Sequence, residues 1–225
     1  MENKWSEQDL VQIASQLSCP EGEEGIKTGE RMARTNDHMT QQAFKALDIM
    51  ADERVLEIGP GNANHLKDLM AIAAGIQYYG IDVSETMVTA ASKLNAAIME
   101  KEPVSFQLTP ADQIEFSSDY FDKIFTVNTL YFWADPENYA AEILRVLKPA
   151  GVFSLAFATR DFMEQLPFTK YKFKLYDKEV VEDLLKTAGF EIVAIKELKD
   201  STTSNTGIPV VRDIVIALAK KKKPA

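Results

Sequence analysis

From Arg54 onward the chain alternates short apolar runs with longer amphipathic segments, and this alternation leaves few folds open. Runs of that kind read as buried strands joined by crossover helices, which together build an α/β sheet. The candidate strands are Arg54 to Ile58, Ile76 to Ile81, Val104 to Leu108, Phe121 to Val127, Val152 to Ala158, Phe190 to Lys196 and Asp213 to Ala219. Between them the pattern predicts helices near Asn62 to Ala74, Ser84 to Glu100, Pro136 to Leu147 and Lys178 to Ala188. The last two strands are separated by Asp200 to Gly207, a polar loop without helical pattern, so the final strand is expected to run antiparallel.

Ahead of the alternation, Leu10, Ile13, Ala14 and Leu17 mark one helix, and Met39, Ala43, Phe44, Leu47 and Met50 mark a second from about Asn36 to Met50. The Pro/Gly/Glu-rich stretch Ser18 to Gly25 reads as a loop between them. With 225 residues and no internal repeat, the expectation is a single domain over 1–225, with a helical cap over 1–52 and a sheet core over 53–225.

Charge and cysteine content exclude several classes. Lys and Arg number 25 against 34 Asp and Glu, a net charge of −9 that repels a polyanion, so nucleic acid is not the expected partner. The lone Cys19 rules out an intramolecular disulfide, and with only His38 and His65 beside it no Cys/His metal site is expected. The first residues lack an apolar run, and no uninterrupted apolar stretch long enough to span a bilayer occurs, which predicts a soluble, cytoplasmic protein without membrane insertion. The lysine-rich ending, Lys220 to Ala225, reads as a solvated tail, and oligomeric state is left open.

The segment Val55 to Leu66 carries the chemistry. It reads as a buried strand, a turn containing Gly59 and Gly61, then a helix, an arrangement in which missing side chains and free amides admit a nucleotide-like ligand. Asp82, at the end of the second strand and 25 residues beyond Glu57, stands where doubly wound sheets place an acceptor for ribose hydroxyls, and Ser84 then caps the next helix. A G-x-G-x-x-G/A dinucleotide pattern beginning at Gly59 fails at Asn64. An E/D-x-G-x-G-x-G pattern is met by Glu57, Gly59 and Gly61, with Ala63 in place of the last glycine.

On these residues the chain resembles the class I S-adenosylmethionine-dependent methyltransferases, particularly the small-molecule branch of ubiquinone and menaquinone methyltransferase-like proteins, from about Val55 to the end. Pro110 to Phe116 followed by Tyr120 to Phe125, and Leu147-Lys148-Pro149-Ala150-Gly151 with Ala150 replacing a glycine, resemble further family segments. The resemblance implies a Rossmann-like, doubly wound seven-stranded sheet, mostly parallel with an antiparallel last strand and an N-terminal helical cap. It also implies S-adenosylmethionine as cofactor and a small-molecule acceptor methylated by single in-line displacement. Carried over by position, Glu57 faces the methionine ammonium; Gly59, Pro60, Gly61 and Asn62 wall the amino-acid and ribose part; and Asp82 takes the ribose hydroxyls. Val83 and Met87 flank adenine, Ala111, Asp112 and Gln113 meet its polar edge, and Asn128 with Thr129 lies nearest the sulfonium.

A carbon or phenolic acceptor benefits from a base, and His38, His65 and Tyr131 are the candidates, with His38 and Tyr131 taken as the catalytic pair. Tyr131, Phe132 and Trp133 either line an acceptor pocket or plug the sheet edge. Glu30 to Met39 is expected in a lid, and Thr159 to Tyr171 in an insertion facing the pocket, where Arg160 pairs with a substrate carboxylate or with the protein. Asn128-Thr129-Leu130-Tyr131 lacks the prolines of the nucleobase-amine methylating motif, and Cys19 lies outside the core signal. The alternatives are a non-catalytic cofactor-binding or regulatory protein, a protein or RNA methyltransferase, and a nicotinamide oxidoreductase.

Overall fold

A computed structural model describes residues 5–203 and 209–223. Helices α1 (Glu7–Ser18) and α2 (Gly22–Lys45) precede β1 (Arg54–Ile58), α3 (Leu66–Met70), β2 (Gln77–Asp82), α4 (Glu85–Leu94), α5 (Ala96–Met99), β3 (Val104–Leu108) and β4 (Phe121–Val127). After β4 come α6 (Pro136–Val146), β5 (Leu147–Ala158), α7 (Arg160–Met163), α8 (Lys178–Thr187), β6 (Glu191–Thr203) and β7 (Pro209–Lys220). The seven strands form one sheet in the order β3-β2-β1-β4-β5-β7-β6. β1 to β5 run parallel, and β7 lies antiparallel between β5 and β6, so the expected mostly parallel sheet with an antiparallel last strand is what forms.

Strand order reverses between β1 and β4, which opens a crevice beyond their C-terminal ends. The residues beneath it are apolar on both faces of the sheet: Leu56, Phe125 and Phe153 are fully buried, and Phe44 of α2 packs on Phe125 edge-on at 6.1 Å. Burying side chains of this size stabilises by about 1.5–3 kcal/mol each, and it fixes α2 across the strand ends.

Several boundaries differ from the sequence reading. The second helix starts at Gly22, not Asn36, because Pro20 ends α1 and the acidic first turn, Glu23 and Glu24, suits the positive end of the helix that follows. The Ser84 hydroxyl, which also accepts from Met87 N as the expected cap of α4, donates to Pro20 O and ties this corner down. The helix expected over Asn62 to Ala74 shrinks to Leu66–Met70, since residues 61–65 stay in turns with positive φ at Gly61 and Ala63. The next helix is broken at Asn95, whose amide donates to Ala63 O and Ala91 O.

The last two strands are longer than expected and run through Asp200 to Thr203, because Asp200 is fully buried and paired with Arg212. Residues 204–207 of the expected loop, Met1 to Lys4 and the last two residues of the expected tail lie outside the described residues. In that tail Lys220 and Lys221 are not free: Lys220 closes β7, and Lys221 donates its backbone N–H to Gly151 O and accepts from Ala150 N while its amine reaches Asp119 at 2.7 Å.

Candidate functional site

A cavity of about 420 Å³ occupies the crevice, within the range of small-molecule sites. Its floor is the loops after β1, β2 and β4, and one face of α2 covers it: Gly29, Met32, Ala33, Asn36, Asp37 and Thr40, spaced at helical repeat. The end of α1, Leu17 to Pro20, closes one side, and Phe132, Trp133 and Tyr139 another.

On the floor, Glu57 is 2% exposed, and its Oε2 accepts from Tyr78 at 2.5 Å and pairs with His65 Nε2 at 2.7 Å. Burial works against charge on the His65 ring, yet the carboxylates around it, Glu57 first with Asp37 and Asp68, together hold His65 above its ordinary value. His65, which the sequence left as readily solvent-facing, is thus a buried member of the cavity wall.

Gly59 has φ +73, and a methyl group there falls 2.5 Å from Thr129 Cγ2. That threonine cannot swing aside freely, because its hydroxyl bonds Thr126 at 2.6 Å and accepts from Trp133 Nε1 at 3.2 Å. At Gly61 a methyl group meets no protein atom within 4 Å. This glycine borders open cavity.

Asp82 accepts from Gly61 N at 3.2 Å through Oδ2 and from Ser84 N at 2.9 Å through Oδ1, so it braces the glycine turn. Burial pushes its carboxyl up to about 6 despite these bonds. Pro60, Asn62, Val83, Met87, Ala111, Asn128 and Thr129 also line the cavity.

Asp112 and Gln113 are exposed and do not line it; Thr109 and Ala111 do. Tyr131 is also off the cavity: it is buried beneath the floor, donates to Ala158 O at 2.9 Å and accepts from Ala158 N at 2.7 Å. Burial raises its phenol far above the ordinary range, so it plugs the sheet edge and cannot serve as a base. His38 is likewise turned from the cavity, with Nδ1 on Asp200 Oδ1 at 2.8 Å.

In the lid segment Met39 belongs to the core, while Met32, Ala33, Asn36 and Asp37 are the residues that cover the cavity. The segment after β5 does not reach it: Arg160 pairs with Asp177 at 2.7 Å and Leu175 O at 2.7 Å, and Lys172 reaches Ser15 of α1. Cys19, set aside on sequence grounds, sits in the cavity wall with its thiol pushed up by burial.

Sequence reasoning placed Asn36 and Asp37 in the lid segment without singling them out, and missed Thr40. Their helical spacing with Gly29, Met32 and Ala33 was the available signal, hidden once the helix was begun at Asn36.

Three carboxylates, Asp37, Glu57 and Asp82, line the cavity and no Lys or Arg does, leaving His65 as its sole basic side chain among the described residues. Such a lining favours a ligand carrying positive charge. No cluster of His, Cys, Asp or Glu suited to a metal ion occurs among the described residues.

A family model described as a methyltransferase domain matches residues 56–155. The uncharacterized methyltransferase YdaC of Bacillus subtilis is 26% identical over 75% of this chain and 88% of its own length. YrhH, also of Bacillus subtilis and also named as a methyltransferase, is 30% identical over 57% of this chain and 69% of its own. The demethylmenaquinone methyltransferase of Clavibacter sepedonicus is 27% identical over 78% and 69%. Among solved structures, a chain of the complex between the Haloferax volcanii Trm112 methyltransferase activator and its methyltransferase superposes with a TM-score of 0.74 at 18% identity, over 89% of this chain and 95% of that one.

Proposed function

Because the chain belongs to the class I S-adenosylmethionine-dependent methyltransferases, we propose that it methylates a small-molecule acceptor by single in-line displacement, with 1–225 acting as one unit and 1–52 covering the site. The observation that carries this reading is the acidic cavity at the reversal of strand order, roofed by α2. Its size and its cover suit a small acceptor rather than a polymer, as does the net charge of −9. A relative named for demethylmenaquinone supports the same class of acceptor. Among the described residues no helix is long and apolar enough to cross a membrane.

When bound, S-adenosylmethionine supplies a methyl group already activated on a sulfonium sulfur. Glu57, backed by His65 and Tyr78, offers its charge to the methionine ammonium. Gly59 and Gly61 keep the floor free of side chains, with Pro60 and Asn62 beside them, and Asp82, which braces the turn, would accept from the ribose hydroxyls. Val83 and Met87 would flank adenine, and Thr109 and Ala111, which line the cavity where Asp112 and Gln113 do not, would meet its edge. Asn128 and Thr129 would face the sulfonium, and Phe132 and Trp133 line the same cavity with aromatic rings that favour a cation. α2 excludes water and orients the acceptor, and alignment of this kind supplies much of the acceleration.

Calorimetric titration with S-adenosylmethionine and S-adenosylhomocysteine, with NADH as control, tests the reading. Saturable binding of the first two, weakened in Asp82→Ala, is the expected result; binding of NADH alone, or of none, overturns it.

A further inference from the structure

Four consecutive residues of α2, Thr35 to His38, meet the β6–β7 hairpin and the cavity in alternation. Thr35 O accepts from Arg212 Nη2 and from the Thr202 hydroxyl, both at 2.8 Å. Asn36 Oδ1 accepts from Arg212 Nη1 at 3.1 Å and from Asn128 Nδ2 at 3.2 Å. His38 bonds Asp200, which in turn holds Arg212 Nε at 2.6 Å. Asp37, between the clamped residues, lines the cavity and bonds no described residue.

The clamp settles the orientation of the Asn36 amide. A guanidinium only donates, so the atom facing Arg212 is the oxygen, and the Nδ2 hydrogens stay without a protein partner among the described residues. Asn128 is held as well, its Oδ1 lying 3.1 Å from the Tyr131 hydroxyl and 3.3 Å from Ala158 N and its Nδ2 turned to Asn36. One side chain that can still donate, Asn36 next to Asn128 at the end of β4, and one carboxylate that can still accept, Asp37, therefore line the same cavity. The other two carboxylates of the cavity are the ones the methyltransferase reading gives to the cofactor: Glu57, held by His65 and Tyr78, and Asp82, beside the amides of Gly61 and Ser84.

Resting on the methyltransferase reading above, we propose that Asn36 and Asp37 read a hydroxyl group on the acceptor, so that the substrate is a small phenol or enol methylated on oxygen, with Asp37 as general base. The acceptor oxygen takes a hydrogen bond from Asn36 and gives its proton to Asp37 as its lone pair bonds the methyl carbon. The carbon–sulfur electron pair leaves on sulfur, and neutral S-adenosylhomocysteine results. Arg212 touches neither reactant: it is a positioning residue that holds Asn36 with its N–H groups available. The titratable side chains that line the cavity with Asp37 are His65, on which its charge acts, Glu57, Asp82, Cys19 and Tyr139, while His38, Asp200 and Arg212 join α2 to the hairpin.

Three probes sharing one ring test this: 1-naphthol, 1-naphthylamine and 1-naphthalenethiol, followed by S-adenosylhomocysteine formation once calorimetry has shown S-adenosylmethionine to bind. Failure at the calorimetric step sinks the methyltransferase reading; a wrong preference after it sinks only the hydroxyl assignment. The expected result is turnover of the naphthol at least about tenfold above the amine and thiol, with Asp37→Asn lowering kcat by about 10²–10⁴. That variant is expected to lose the rising acid limb of the kcat/KM profile while its S-adenosylmethionine Kd stays within about twofold, and Arg212→Lys to lower naphthol kcat/KM about tenfold. Preference for the amine or thiol, or an unchanged pH profile in Asp37→Asn, overturns the proposal. If no probe turns over, 1-naphthol titrated into the S-adenosylhomocysteine complex decides: affinity lowered about tenfold or more by Asn36→Ala and by Asp37→Asn supports it, and absent or equal binding overturns it.

Discussion

The floor of the cavity draws Glu57, Gly59, Gly61 and Asp82 from one strand–turn–strand stretch, whereas its roof depends on Asn36 and Arg212, which are 176 positions apart. The floor is held mainly by backbone torsions and amide bonds within that stretch, such as Gly61 N to Asp82 at 21 positions' separation. The roof is held by an ion pair, Arg212 with Asp200, that is almost wholly removed from water. Damage to the floor should therefore register in cofactor affinity, and damage to the roof first in stability.

Arg212→Ala is the largest test of that division. It leaves Asp200 buried with half-exposed His38 as its remaining partner, and stranding one member of a buried pair costs about 3–5 kcal/mol. At about 2–4 °C per kcal/mol for a chain of this size, thermal unfolding should fall by roughly 6–20 °C. Replacing both members, Asp200→Leu with Arg212→Leu, should recover most of the loss, since no uncompensated charge is left. A double variant as unstable as the single one would show that the pair does more than satisfy its own burial.

Gly59→Ala strikes the floor. A side chain at φ +73 is strained by about 1–2 kcal/mol, and relieving the contact with Thr129 adds roughly 1–3 kcal/mol. S-adenosylmethionine affinity should drop at least in proportion, because the turn must move to make room. Calorimetry showing native affinity would mean that the floor is more pliable than its hydrogen bonds indicate.

How much of each wall was legible follows from the same contrast. The strand–turn–strand stretch announces itself, since Glu57, the two glycines and Asp82 keep fixed spacings, and the sheet with its antiparallel last strand follows from the alternation of apolar runs. The roof does not: nothing local marks Arg212 as buried, or Asp200 as anything but part of a polar turn. With that pairing unseen, His38 was the natural candidate base, although the structure spends its imidazole on Asp200 and leaves Asp37 in the cavity. Tyr131 misleads in the same way, because only its contacts with Ala158 reveal a hydroxyl already used up.

Asp82 sharpens the comparison through pH. Its carboxyl, raised from 3.8 to about 6, makes the folded state bind a proton that the unfolded chain has released, so this group lowers stability as pH climbs between about 4 and 6. At pH 7 the penalty is about 3 kcal/mol. Relative to wild type, Asp82→Asn should therefore be more stable at pH 7 than at pH 4. For binding the sign is opposite: the ionised carboxylate is the better acceptor for ribose hydroxyls, so affinity should rise from pH 5 to 7. Asp82→Ala should weaken S-adenosylmethionine by about 1.5–3 kcal/mol, and a flat pH dependence in the wild type would remove Asp82 from that role.

The smallest effect concerns the two alanines that replace glycines of the family pattern. Ala63 and Ala150 both keep the left-handed backbone a glycine would adopt, with φ 50 and 65, so the chain retains the conformation without the residue that makes it easy. Their surroundings differ: Ala63 is fully buried, while Ala150 is exposed and packs on little. Ala150→Gly should relieve strain of about 1–2 kcal/mol, offset by the extra freedom of glycine in the unfolded chain, about 0.4–1 kcal/mol. A gain near 1 kcal/mol or less in denaturant unfolding is expected. Ala63→Gly relieves the same strain but gives up a buried methyl worth about 0.8 kcal/mol, so it should be close to neutral. If Ala63→Gly were clearly the more stabilising of the two, the floor would be carrying strain at its buried turn that its packing does not offset, and the division between a locally determined floor and a clamped roof would have to be redrawn.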